Sequence, residues 1–136
     1  MRRAIALAAL MSVAAGAAGA ETWTRFATAD KGIEWSYDAD YSYKDKASGR
    51  LVVMQAVAKP EAKLGPAGPG KSDGVGYVYA LDCSKKNLIS VASYTPSKAL
   101  DIPANWRSVK PKKASGPENE ALIAAVCPHA MHVPVK

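Results

Sequence analysis

From residue 22 to residue 94 the chain alternates apolar and polar positions with a period of two, interrupted by short polar clusters. This rhythm predicts strands joined by turns. Thr22-Trp23-Thr24-Arg25-Phe26-Ala27-Thr28 sets Trp23 and Arg25 on one face and Thr22, Thr24 and Phe26 on the other. Asp30-Lys31-Gly32 is a turn signal, and Ile33-Glu34-Trp35-Ser36-Tyr37 returns as a hairpin partner. The run 51–58 is apolar at nearly every position, as in a central strand covered on both faces, and Gly49 and Pro60 bracket it at strand length. In the run 76–83, Tyr77, Tyr79, Leu81 and Cys83 share one face, opposite Val78, Ala80 and Asp82. A polar turn at 84–87 then leads into 88–94 as a further hairpin strand.

Beyond residue 95 the period changes. Residues 101–109 read as a loop and a short extended piece carrying Trp106, stopped at Lys110-Pro111. Ser115-Gly116-Pro117-Glu118 reads as a capping box, with Ser115 at the N-cap and Pro117 tolerated in the first turn. At about 100° per residue, Leu122, Ile123, Val126 and Cys127 fall within an arc of roughly 140°, and Pro128 ends the helix. The pattern predicts an α+β domain. An antiparallel sheet of roughly five to six strands carries a C-terminal helix on one face, and the tail 129–136 looks frayed and disordered.

Two stretches resist the strand reading. In 38–49, Tyr41 and Tyr43 share parity with Trp35 and Tyr37, so an unbroken strand would form an aromatic ladder able to bind sugar or protein. Asp38 and Asp40 are turn formers, however, and favour a break that splits the tyrosines between core and rim. The segment 59–73 holds Pro60, Gly65, Pro66, Gly68, Pro69 and Gly70 and reads as a flexible excursion. Gly65 to Ser72 formally fits a phosphate-loop spacing. Pro66 and Pro69 remove backbone donors that a phosphate needs, and a strand follows where the motif requires a helix.

The start of the chain changes the setting. Met1-Arg2-Arg3, an apolar stretch from Ala4 to Met11 and the small residues Ala18-Gly19-Ala20 form the pattern of a cleaved signal peptide over 1–20. The apolar run is short for a membrane span and no second one follows, so no integral membrane segment is expected after cleavage. The chain of 136 residues then leaves one domain, 21–128, with a periplasmic, cell-surface or secreted address. Loss of Arg2 and Arg3 leaves 16 basic against 12 acidic residues, a net charge of +4. The lysines are scattered, and Lys110-Pro111-Lys112-Lys113 has no interleaved aromatics to stack on bases, so nucleic acid is not an expected partner. In an exported chain, Cys83 and Cys127 most economically form one disulfide that pins the helix to the sheet; the alternative is two free thiols.

Catalytic constellations are thin. The histidines are His129 and His132, both beyond the predicted helix, and Asp38, Asp40, Asp45, Asp73, Asp82 and Asp101 sit mostly where aspartate caps turns. His129, Met131 and His132 could ligate copper, but three ligands on a tail without supporting partners make a weak metal site. No cofactor is expected.

Several residues together resemble the surface-adhesin protein E family. They are Trp23, Tyr37-Asp38 with Ser42, the run 51–57, Tyr79-Ala80-Leu81-Asp82-Cys83, Trp106-Arg107-Ser108-Val109-Lys110-Pro111 and the terminal Ala125-Val126-Cys127. The similarity spans nearly the whole mature chain, and the Pro/Gly segment 59–71 departs from the compact hairpin expected there. It implies an antiparallel sheet with a C-terminal helix tied to it by the disulfide. It also implies a non-enzymatic, adhesin-like binding module of the bacterial envelope, contacting host matrix or envelope proteins. The expected partner is a protein, met by Tyr41, Tyr43, Lys44, Lys46, Lys112 and Lys113. A small periplasmic enzyme or enzyme inhibitor is the alternative.

Overall fold

The computed structural model describes residues 22–67 and 73–136. The expected signal peptide lies outside them, as do residues 68–72 of the phosphate-loop-like match. Seven strands form one antiparallel sheet: β1 (Trp23–Thr28), β2 (Glu34–Asp38), β3 (Tyr43–Lys44), β4 (Leu51–Ala58), β5 (Val75–Asp82), β6 (Asn87–Tyr94) and β7 (Lys112–Lys113). The order is β1-β2-β4-β5-β6-β7, with β3 paired to β4 beyond the end of β2. The long strands are those that the alternation and the apolar run 51–58 predict. The two-residue strands β3 and β7 carry too few positions to show a period.

The sheet is buried on both faces, as the apolar run of β4 requires. On one face Leu51, Val53, Leu81 and Leu88 pack against Leu122, Ile123 and Val126 of α1 (Pro117–Val126). Phe26, Tyr37, Tyr79, Cys83 and Cys127 close over that layer. Cys83 and Cys127 are bonded, with their Cα atoms 5.9 Å apart, so the helix end is tied to the end of β5.

On the other face Val52, Met54, Val78, Ala80, Ile89 and Val91 pack against Trp106 and Tyr94. The cover here is a loop whose 3-10 turn (Trp106–Ser108) drives Trp106 inward to 5 % exposure. The extended piece expected around Trp106 is therefore a turn. Packing of one indole into the sheet outweighs any strand tendency of its neighbours.

Two further expectations are corrected. Gly116, not Ser115, is the N-cap: it takes φ 94°, and no side chain caps the helix. Pro117 at N1 keeps the preceding residue out of the helical region, and the carbonyl of Ser115 instead accepts the Asn119 amide at 2.9 Å. The tail is not frayed. Residues Cys127–His132 form a 3-10 turn, and Val135 pairs in parallel with Lys44. Lys44 N–H donates to Pro134 O at 2.8 Å and Lys136 N–H donates to Lys44 O at 2.9 Å. The open edge of β3 supplies these unpaired backbone groups. The excursion 59–73 has a closed base, where Asp73 and Gly74 N–H both donate to Lys63 O and Ala67 is buried. The expected excursion is thus anchored where it leaves and rejoins the sheet. No helix among the described residues is long and apolar enough to cross a membrane.

Candidate functional site

The break at Asp38 is built by one carboxylate. Asp38 Oδ1 accepts the N–H groups of Thr22, Asp40 and Tyr41, at 3.1, 3.0 and 3.3 Å. The aromatic ladder is therefore split. Tyr37 packs with the helix layer, whereas Tyr41 and Tyr43 are half-buried beside the Trp106 layer. Their rings lie 6.0 Å apart, and the Lys136 ammonium sits 5.3 Å from the Tyr43 ring. Burial, with Tyr43 and Asp38 nearby, pushes the Tyr41 hydroxyl up to about 12. These two rings are part of the packing and offer a partner only their rims.

The lysines are a different matter. The register runs Lys44↔Leu51↔Leu81↔Leu88↔Lys112 across β3, β4, β5, β6 and β7. Lys44 and Lys112 therefore occupy one row at opposite edges, about 19 Å apart at a strand spacing of about 4.8 Å. Strand direction brings the 45–50 and 83–86 turns to this same end. Lys46, Arg50, Lys85, Lys86 and Lys113 join the two row ends there, and Lys136 arrives with the tail. Lys44, Lys46, Lys112 and Lys113, expected as a binding surface, thus share one end of the sheet. Lys85, Lys86, Arg50 and Lys136 were missed. The available signal was strand parity: in a meander, alternate turns fall on one end.

The two carboxylates on those turns are consumed internally. Asp45 is 1 % exposed and accepts Arg107 Nε at 2.8 Å and a second guanidinium nitrogen at 2.6 Å. It also accepts the Ser48 amide at 3.0 Å. The Arg107 hydrogen bonds, against the opposing effect of burial, hold its carboxyl well below the usual carboxylate range. Arg107 in turn lies 4.7 Å from the centre of the Trp106 ring. Asp82 Oδ1 accepts the amides of Ser84 and Lys85 and the Ser84 hydroxyl, and its pKa is lowered, first by the Lys85 amide. Arg50 reaches across to Asn87 Oδ1 at 2.8 Å. With the acids so occupied, the end of the sheet presents net positive charge.

Two hollows flank the disulfide at this end. One, of 340 Å³, is lined by Lys44, Arg50, Leu51, Asp82, Cys83 and Ala130 among others. The other, of 720 Å³, lies between the 83–86 turn, β7 and α1. Of the tail residues weighed for metal, Met131 is 83 % exposed, and His129 lines a separate hollow with Tyr37 and Val133. Among the described residues no group of three His, Cys, Asp or Glu side chains is placed to hold a metal ion. Comparison with known proteins finds no matching family model, no matching curated protein and no matching solved structure.

Proposed function

We propose that the protein is an exported, non-enzymatic binding module of the adhesin-like kind, and that it meets an acidic protein surface with the basic end of its sheet. One observation carries the reading. Lys44, Lys46, Lys85, Lys86, Lys112 and Lys113 are all exposed at that end, while Asp45 and Asp82 are tied to their own turns and to Arg107. The pKa values of both carboxylates are lowered by hydrogen bonds, which suits structural anchors; a general acid needs the opposite shift. The resemblance to the surface-adhesin protein E family supports the same class of role and adds host-matrix or envelope proteins as the partners to try. A charged end of this kind favours electrostatic steering of association.

The test is affinity capture from envelope and host-matrix fractions with the oxidised domain 21–136. A variant carrying Lys44→Glu, Lys46→Glu, Lys112→Glu and Lys113→Glu is compared beside it. Captured proteins should be acidic and should be lost from the variant. Capture that is equal for both proteins, or absent for the unmodified one, overturns the reading.

A further inference from the structure

The 720 Å³ groove beside the disulfide has a composition that the reading above does not use. Its walls are Ala114, Ile123, Ala124, Pro128 and the Cys83–Cys127 bridge. Ala114 on the strand side and Ala124 on the helix side are small, and their short side chains leave the space open. Above this apolar wall stand Lys86, Lys113 and Glu120. Lys86 is fixed in the left-handed conformation (φ 54°), and its carbonyl accepts Ala114 N–H at 2.9 Å, so the turn carrying it is braced against the groove wall. Among the described residues the ion pairs are Arg25–Glu34 and Arg107–Asp45, so neither lysine of the groove is committed to one. Two ammonium groups against one carboxylate leave a single uncompensated positive charge over an apolar trough.

We propose that this groove binds a small amphipathic carboxylate. The aliphatic chain lies along Ala114, Ile123, Ala124 and the disulfide, and the carboxylate sits between Lys86 and Lys113. A volume of this size suits a small ligand, and the geometry separates the apolar and charged parts as such a ligand does. Glu120 disfavours a second negative charge and opposes nothing in the chain. The site uses two of the lysines of the basic end, yet it requires the apolar wall, which a flat acidic protein surface does not.

The test is a titration of the full oxidised domain with octanoate, followed by amide and methyl NMR shifts. Octan-1-ol and octylammonium serve as controls. Octanoate should shift Ala114, Ile123 and Ala124 in a saturable way, and binding should weaken roughly tenfold in Lys86→Gln/Lys113→Gln, the loss expected for a charge-assisted contact. Octan-1-ol should bind more weakly and octylammonium weakest. Ala124→Trp, which fills the trough at an exposed helix position, should abolish the shifts. Octylammonium binding as well as octanoate, scattered shifts, or binding unaltered by either variant overturns the proposal. Capture of acidic proteins that survives Ala124→Trp would show that this failure and that of the acidic-surface reading are separate.

Discussion

Asp45 is the residue on which the second sheet face depends. It lies at the start of the turn after β3, yet it is joined to Arg107 from 62 residues away, and Arg107 holds the ring of Trp106. Its folded pKa lies below the unfolded value of about 3.9, so the folded state releases the proton more readily. The resulting stability is complete above the unfolded pKa and is lost as pH falls through it toward the folded one. Asp45→Asn should therefore lower stability at neutral pH by about 1–2 kcal/mol, the range for hydrogen bonds to a charged group with one partner half-exposed. The gap from the unmodified protein should begin to close as pH falls below about 4 and go on narrowing with further acidification, as read by thermal melts across pH. A gap that is constant with pH would mean that the carboxylate charge is not what holds the loop. Nothing local announces this pair: Asp45 reads as one more turn aspartate, and Arg107 as one of many scattered cations. Gly76 is similar. It passes for a strand boundary, but a Cβ there would come within 1.9 Å of the Tyr94 ring, its cross-strand partner. Gln55 interrupts the apolar run of β4 at 0 % exposure, and its amide meets no protein partner among the described residues. Such contacts depend on which strand lies opposite, which a single strand's pattern does not encode.

At the scale of elements, period-two alternation, the unbroken apolar run of β4 and the arc of Leu122, Ile123, Val126 and Cys127 were enough to place β1, β2, β4, β5, β6 and α1 and to orient the helix. The elements that could not be read are those held by others: β3 and β7, the Trp106 turn and the tail. Each is too short to bury a face of its own and is fixed by a neighbour's free edge or pocket. The disulfide joins the two kinds. It links the end of β5 to the residue that closes α1 and starts the tail turn, across a sequence separation of 44 residues. On the chain-entropy account a loop of that length contributes about 4 kcal/mol, comparable with the whole net stability of a small domain. Cys83→Ser/Cys127→Ser should lose about that much in urea denaturation. Hydrogen exchange in the variant should accelerate first at Leu122, Ile123 and the amide of Lys136, and only later at Val53 and Val78. Uniform acceleration would mean instead that helix, tail and sheet open as one unit.

Across the whole molecule, charge is sorted by the direction of the strands. At the end carrying the 45–50 and 83–86 turns, Lys44, Lys46, Lys85, Lys86, Lys112 and Lys113 are exposed and outside the ion pairs of the described residues, and the turn acids are engaged. At the opposite end Asp30, Lys31, Lys59, Glu61, Lys63 and Asp73 mix both signs. This polarity is what turns a modest net charge into a directed surface, because the field of clustered like charges reaches further than that of interspersed ones. Poly-L-glutamate offers a probe with negative charge and no shape. Its binding to the oxidised domain should weaken about tenfold or more as salt rises from about 50 mM to about 300 mM, where the screening length falls to about 6 Å. Neutralising Lys44, Lys46, Lys112 and Lys113 to Gln should flatten that salt dependence. Neutralising Lys31, Lys59 and Lys63, which removes nearly as much charge from the other end, should leave it close to that of the unmodified protein. If the two variants lose salt dependence equally, net charge alone governs the attraction, and the sorting of lysines by strand direction has no functional consequence.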